Sequence, residues 1–115
     1  MSGFTSADIS RLTDLLQKEL ELFRKIRKLT EKQTELLSED DITPFEKSLD
    51  ERQKLIEKIN GLHQESEPLM QSYITLSESG KNNEIEIHKE EIRKIVEFCA
   101  EKNSKNLERI KEKSS

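Results

Sequence analysis

The sequence predicts an all-α protein, an elongated antiparallel helical hairpin followed by a third long helix. Charged residues make up 38% of its 115 residues and aromatic residues only 4%, and Leu and Ile supply most of the apolar content. These apolar residues recur in steps of three and four, which is the spacing of one helical face. Two polar segments, residues 38–44 and 77–83, interrupt this periodicity. Three long helices in a single domain spanning residues 1–115 are therefore expected.

The first helix is expected from about residue 6 to residue 37. Thr5 or Ser6 can cap its start, and Asp8 in the first turn complements the positive end of the helix dipole. The apolar stripe is wide enough to meet more than one neighbouring helix, which favours a bundle over a two-stranded coil. The stripe consists of Ile9, Leu12, Leu16, Leu20, Phe23, Ile26, Leu29, Gln33 and Leu37.

The second helix is expected from about residue 43 to residue 78, folded back on the first because the connection is only about five residues long. Thr43 is the predicted N-cap, with Pro44 at the first helical position and Glu46 completing a capping box. Asp41 is the alternative cap. The stretch from residue 36 to residue 62 therefore marks the turn of a helical hairpin.

Pro68 interrupts the second helix, because proline removes one backbone hydrogen bond and disfavours the helical conformation of the residue before it. The apolar periodicity nevertheless keeps its phase across Pro68. A kink near residues 64–67 is therefore expected. The alternative is a new helix capped by Ser66, with Pro68 in its first turn.

The third helix is expected from about residue 84 to residue 111, with Asn83 as a suitable cap. Beyond Lys102 only Leu107 and Ile110 offer apolar surface, so this end should fray unless something covers it. A helix with a thinly apolar end, set apart by a polar loop, is the best candidate for a partner surface or a movable cover. The predicted partner-binding residues are Ile92, Ile95, Val96, Cys99, Leu107 and Ile110.

The composition excludes several classes of protein. The net charge is −4, from 20 basic and 24 acidic residues, which argues against a nucleic-acid partner because such proteins show a basic excess. No stretch of about 18 apolar residues predicts a membrane span. Cys99 is the sole cysteine, which fits a reducing compartment. The protein is expected to be cytoplasmic, with neither a nucleic-acid nor a membrane partner.

Catalysis is not expected. The two histidines, His63 and His88, lie on different predicted helices, and Asn60 and Ile85 stand where a di-iron bundle would place glutamates. The sequence has no glycine-rich phosphate loop, no paired cysteines and no nucleophile motif. No metal site or cofactor is therefore predicted. The function must be carried by the apolar faces of helices, covered by a second copy or by a partner helix laid in a groove.

Residues 36–62 also carry a family resemblance. A helix ending in Leu36-Leu37, a short acidic break containing Asp41, Phe45 four residues later and then the run from Glu51 to Ile59 resemble flagellar export chaperones of the FlgN and FliT type. The resemblance implies a small cytoplasmic protein that grips the C-terminal helical segment of an axial flagellar subunit and prevents its self-association. It also implies delivery of that subunit to the type III export apparatus.

Within this resemblance, a FliT-like protein would serve the filament cap subunit and a FlgN-like protein the hook–filament junction subunits. The alternative function is a homo-oligomeric coiled-coil scaffold or adaptor without an export role, which would use the same apolar stripes on a second copy of itself. A homodimer is left open under both interpretations. A nucleic-acid or membrane-surface module is a weaker alternative, and the mixed-sign helix faces argue against it.

Overall fold

The computed structural model describes residues 4–76 and 80–114, which form three long helices. These are α1 (Ser6–Leu36), α2 (Thr43–Ile74) and α3 (Asn83–Ser114). The molecule measures 61 × 22 × 18 Å, so the predicted elongated all-α fold is confirmed. The predicted end of the second helix at residue 78 lies outside the described residues, and α2 itself ends at Ile74. α3 extends to Ser114, past the predicted end at residue 111.

A capping box starts α1. The backbone N–H of Asp8 donates to the Thr5 side-chain oxygen at 3.1 Å, and the backbone N–H of Thr5 donates to the Asp8 carboxylate at 3.0 Å. The two bonds satisfy two N–H groups that would otherwise lack a partner at the helix start. Of the two predicted caps, Thr5 fills the role, and Ser6 is the first helical residue.

The start of α2 differs from the prediction. Thr43 is already helical, Ile42 occupies the cap position, and no side chain of the cap residue bonds to the first turn. The predicted capping box of Thr43 with Glu46 is therefore wrong. Instead the Asp41 carboxylate accepts a hydrogen bond from the Thr43 backbone N–H at 3.0 Å, and the bonds from Thr43 lower the pKa of that exposed carboxyl. Asp41 supplies the acceptor from one residue before the cap.

α2 continues through Pro68 as one helix. The Ser66 hydroxyl donates to the backbone oxygen of His63 at 3.3 Å, a bond to the preceding helical turn. The alternative in which Ser66 caps a new helix is therefore wrong, and the kink near Pro68 stays a prediction.

The cap of α3 lies one residue earlier than predicted. Asn82, not Asn83, accepts a hydrogen bond from the backbone N–H of Ile85 at 3.1 Å, and Asn83 is the first helical residue. Two adjacent asparagines can each play this part. The choice depends on how Tyr73 holds the segment in front of the helix.

Tyr73 joins the end of α2 to the start of α3. Its fully buried side chain accepts a hydrogen bond from the Asn82 backbone N–H at 3.0 Å and donates to the Glu86 carboxylate at 2.6 Å. The Tyr73 hydroxyl lowers the pKa of the Glu86 carboxyl. From the same segment, the Lys81 ammonium donates to the backbone oxygens of Tyr73 and Ile74 at 3.1 and 3.2 Å. These bonds fix the angle at which α3 leaves the loop.

Tyr73→Phe is expected to lower the free energy of unfolding by about 1–3 kcal/mol, because it leaves the Asn82 N–H without its partner in a partly buried place. Denaturant unfolding followed by circular dichroism measures the change. Thr75→Val is the matched control, since it removes an exposed hydroxyl at the end of the same helix. An equal loss in both variants would contradict the role assigned to Tyr73.

α1 is the central helix of the three. Both α2 and α3 pack along it, whereas no Cα of α2 lies within 8 Å of a Cα of α3 in the described parts of the chain. α3 runs parallel to α1, since Arg24 pairs with Glu91 at 2.8 Å and Thr34 with Asn106 at 3.0 Å. α2 is antiparallel to both. The two outer helices are therefore held together mainly through side chains over the shared face of α1.

Two apolar clusters bind the outer helices to α1. Near the start of α1, Leu12 and Leu16 pack with Tyr73 of α2 and Ile85 of α3. The second cluster lies further along α1 and consists of Leu20, Ile26, Ile59, Ile95 and Cys99. Each cluster draws residues from all three helices, so α3 is part of the core as well as a wall of the surface described next.

Candidate binding groove

A groove runs between α2 and α3, with α1 as its floor. It opens into two cavities. The first, here called the Glu19 groove, has a volume of about 620 Å³, a floor of Leu16, Glu19 and Phe23, and walls from residues 59–70 and 86–93. The second, the Gln33 groove, has a volume of about 360 Å³ and lies between residues 45–52 and 103–110.

The two cavities belong to one face. The floor residues of α1, from Leu16 through Glu19 and Phe23 to Gln33, follow steps of three and four when the buried Ile26 and Thr30 are included. Residues with this spacing lie on one side of a helix. The cavities are therefore two ends of a single groove, and the cluster around Ile26 and Ile95 fills the middle.

The walls of the Glu19 groove are apolar near the floor and charged at the rim. Ile59 and Met70 line it from α2 and Ile92 from α3, while Lys89 and Arg93 stand on the α3 side. A concave apolar surface with a few polar groups is the usual form of a binding site. This one is open along its length, which suits an elongated ligand.

Glu19 is an unusual residue to find on the floor. Only 4% of it is exposed, its Oε1 lies 3.5 Å from His63 Nδ1, and its Oε2 has no hydrogen-bond partner among the described residues. Burial raises the pKa of the Glu19 carboxyl, and the neighbouring Ser66 and His63 act in the opposite direction. An ionisable group with one unsatisfied oxygen in an apolar place costs stability.

The Gln33 groove combines buried amides with exposed apolar walls. The side-chain nitrogens of Gln33 and Asn106 are buried without a hydrogen-bond partner in the described structure. The Arg52 guanidinium donates to the Asn103 side-chain oxygen at 2.9 Å and so links α2 to α3. Leu49 and Leu107, on opposite walls, are exposed by 41% and 53%. Large apolar side chains facing each other across an open groove indicate a surface that a partner covers.

The six predicted partner-binding residues of α3 fall into three places. Ile92 lines the Glu19 groove, while Leu107 and Ile110 line the Gln33 groove. Ile95 and Cys99 are buried against α1, where the Thr30 hydroxyl lies 3.7 Å from the Cys99 sulfur and burial raises the pKa of the thiol. Val96 is exposed and lines neither cavity. A partner that lies in the groove can therefore touch three of the six while α3 stays in place.

Sequence reasoning missed the α2 wall and the floor. Phe45 and Ile59 were interpreted as plain hairpin core, and Glu19 was not singled out. The available signal was spacing, because Glu19 lies three residues after Leu16 and four before Phe23. A lone carboxylate at such a position marks either a buried polar site or an edge of the stripe, and the sequence does not distinguish the two.

Two further features limit what the surface does. Within residues 4–76 and 80–114, no three His, Cys, Asp or Glu side chains come together in a way that could hold a metal ion. None of the helices described has an apolar stretch of the length needed to cross a membrane. The groove is the largest concave feature found in the described structure.

The fold and its groove define a small helical binding protein. The model of the FlgN protein family matches residues 1–115, the whole chain, and this protein therefore belongs to the FlgN family. That family is one of flagellar chaperones that bind axial proteins of the flagellum. Of the predicted resemblance, the FlgN type is confirmed, and the FliT type gains no support. Comparison with curated proteins and with solved structures gave no match.

Proposed function

We propose that this protein is a cytoplasmic export chaperone that holds the amphipathic C-terminal helix of an axial flagellar subunit in the groove between α2 and α3. Membership of the FlgN family favours a hook–filament junction subunit over the filament cap subunit as cargo. Covering the cargo's apolar stripe prevents its premature self-association, and the complex delivers the subunit to the type III export apparatus. The open apolar groove is the observation that carries this proposal.

The dimensions of the groove suit a helix. Its α2 wall extends from residue 45 to residue 70, which corresponds to about 38 Å at the helical rise per residue. A cargo helix of about 25 residues would lie along it and complete a four-helix arrangement, with its apolar face inward. Exposed residues such as Leu49 and Leu107 would become buried. The affinity has to stay moderate because the cargo must be released for export.

On α3, Ile92, Leu107 and Ile110 are the proposed contacts with cargo. Ile95 and Cys99 hold α3 against α1, so they reach a partner only if α3 moves away. Val96 would touch a helix that overlaps the outer edge of α3. A movable α3 would add regulation, but the groove does not need it in order to accept a helix.

Leu107→Glu is expected to weaken binding of the cargo's C-terminal helix by about tenfold or more, because it places a charge where an apolar side chain of the cargo is buried. Isothermal titration calorimetry against that segment of the junction subunit measures the change. Ile87→Glu is the matched control: Ile87 lies on the same helix, is 47% exposed and lines neither cavity. Equal weakening by both variants would contradict the groove as the docking site.

The alternative, a self-associating scaffold, would cover the same groove with a second copy. Light scattering separates the two functions. A monomer, or a weak dimer that dissociates when the cargo helix is added, supports the chaperone. An obligate dimer that leaves the groove closed to the helix supports the scaffold.

A further inference from the structure

We propose that the groove floor recognises one basic residue within the apolar stripe of the cargo: Glu19 selects a helix that places a Lys or Arg opposite its unpaired carboxylate oxygen. This inference rests on the proposed function, since it assigns the chemistry of the helix that the groove takes. Its occupant is thus an amphipathic helix whose apolar face is interrupted by a single cation.

The buried state of Glu19 is the first argument. The residue is only 4% exposed and its Oε2 has no partner among the described residues, yet it sits in the floor of the largest cavity. Buried polar groups in folded proteins nearly always have a hydrogen-bond partner, and an exception calls for a specific reason. A donor brought by a ligand supplies that reason.

The protein's own donors near this site are otherwise engaged, which is the second argument. Arg93 donates to Glu90 at 2.9 Å and also contacts Glu97. Lys89 lies 3.6 Å from Glu86. The rim cations are thus paired with rim carboxylates, and the floor carboxylate is left over.

The remaining neighbours of Glu19 do not saturate it. The exposed His63 ring is shared, with Nδ1 3.5 Å from Glu19 and Nε2 3.7 Å from Glu67. The Ser66 hydroxyl lies within hydrogen-bond range of the backbone oxygen of His63. One carboxylate oxygen therefore stays available to a cation that enters between the helices.

Such a contact would determine the register of the cargo helix. A charge-assisted hydrogen bond is stronger than a neutral one, and the apolar walls around Glu19 strengthen it further. A cargo helix shifted by one turn would place an apolar residue against Glu19 and its cation against apolar surface, leaving both charges unpaired. A single polar position fixes helix register in the same way in coiled coils.

The test uses the full chain and three synthetic amphipathic helices of about 25 residues, the length that spans the groove. The peptides are identical except at the central position of the apolar stripe, which is Lys, Leu or Glu. Fluorescence titration measures each dissociation constant. The wild-type protein is expected to bind the Lys peptide about tenfold to a hundredfold more tightly than the Glu peptide, from the strength of a hydrogen bond to a charged group.

Two variants test whether Glu19 causes this preference. Glu19→Gln is expected to bring the Lys and Glu peptides to within about threefold, and Glu19→Lys is expected to reverse the preference. Glu31→Lys makes the same charge change at an exposed position of α1 and should leave the preference as it is. Circular dichroism confirms that each variant is folded, and Glu19→Gln still gives a result if Glu19→Lys does not fold.

The outcomes distinguish this inference from the function on which it rests. If all three peptides bind the wild-type protein equally, the groove takes a helix but Glu19 does not select it, and the inference is wrong. A preference that survives in Glu19→Gln also overturns it, since the rim carboxylates would then be responsible. If none of the peptides binds, the proposed docking groove is itself contradicted.

Discussion

Leu12→Ala is expected to lower the free energy of unfolding by about 2–5 kcal/mol, the usual cost of emptying a fully buried leucine site. Leu12 is 0% exposed and packs with Tyr73 of α2 and Ile85 of α3. The cluster is where all three helices meet, and both outer helices depend on α1 for their packing. The cavity would loosen α2 and α3 together, so the substitution is expected to act on the whole fold.

Chemical denaturation of the wild-type and variant proteins measures this loss, with the denaturant slope compared as well as the midpoint. Ile87→Ala is the control, because its side chain is 47% exposed and its truncation is expected to cost less than about 1 kcal/mol. A loss at Leu12 no larger than that at Ile87 would mean that this cluster does not hold the helices together. A changed slope would show that the compactness of the native or the unfolded state had changed.

The helices themselves were predictable from local sequence. On α1, Leu12, Leu16, Leu20 and Ile26 were assigned to one stripe from their spacing, and all four are buried. The spacing works because a straight helix places residues three and four apart on one side, whatever lies opposite. It therefore predicted the class of fold and the buried face of α1 without any knowledge of the partners.

The caps were less predictable, for a physical reason. Asn82 and Asn83 are adjacent and chemically equal, and the choice between them depends on Tyr73, whose hydroxyl bonds the backbone of Asn82 from another helix. At α2 the side chain of Asp41 reaches the N–H of Thr43 directly, so Thr43 is not needed as the cap. Tertiary contacts and short side-chain bonds of this kind are not visible in the order of residue types.

The groove could not be predicted, because it results from the distance between α2 and α3. Each apolar stripe was expected to meet a neighbour, and the sequence does not show that the outer helices pack on α1 rather than on each other. Predicted contact residues were placed on α3 alone, and Ile95 and Cys99 proved to be core. The opposite wall, with Leu49, and the floor, with Glu19, follow only from the three-dimensional arrangement.

Glu19→Leu is expected to raise the free energy of unfolding by about 1–3 kcal/mol near pH 7, while it removes the preference for a cargo helix with a cation in its stripe. The gain corresponds to the cost of keeping a buried polar group without its full set of hydrogen bonds. The wild-type chain keeps glutamate at this position rather than a leucine because, on the proposal above, binding requires the carboxylate. Function would then be maintained at the expense of stability, as at many binding sites.

The pH dependence separates this explanation from a simple gain in apolar packing. Burial raises the pKa of Glu19, so the wild-type fold binds a proton more readily than the unfolded chain does. The stability linked to this proton is present at acidic pH and is lost as the pH rises through the folded-state pKa. The advantage of Glu19→Leu is therefore expected to be largest near pH 7 and to shrink towards about pH 4, where glutamate is largely protonated.

Thermal or denaturant unfolding of both proteins across this range measures the difference. Glu86, whose pKa is lowered by Tyr73, makes the opposite contribution, losing stability as the pH falls, but it is present in both proteins and cancels. His63, whose Nδ1 lies 3.5 Å from Glu19, does not cancel, so the comparison is repeated with His63→Gln in both chains. An advantage independent of pH in that background would assign the gain to packing, and the buried charge would then have no measurable cost for cargo binding to repay.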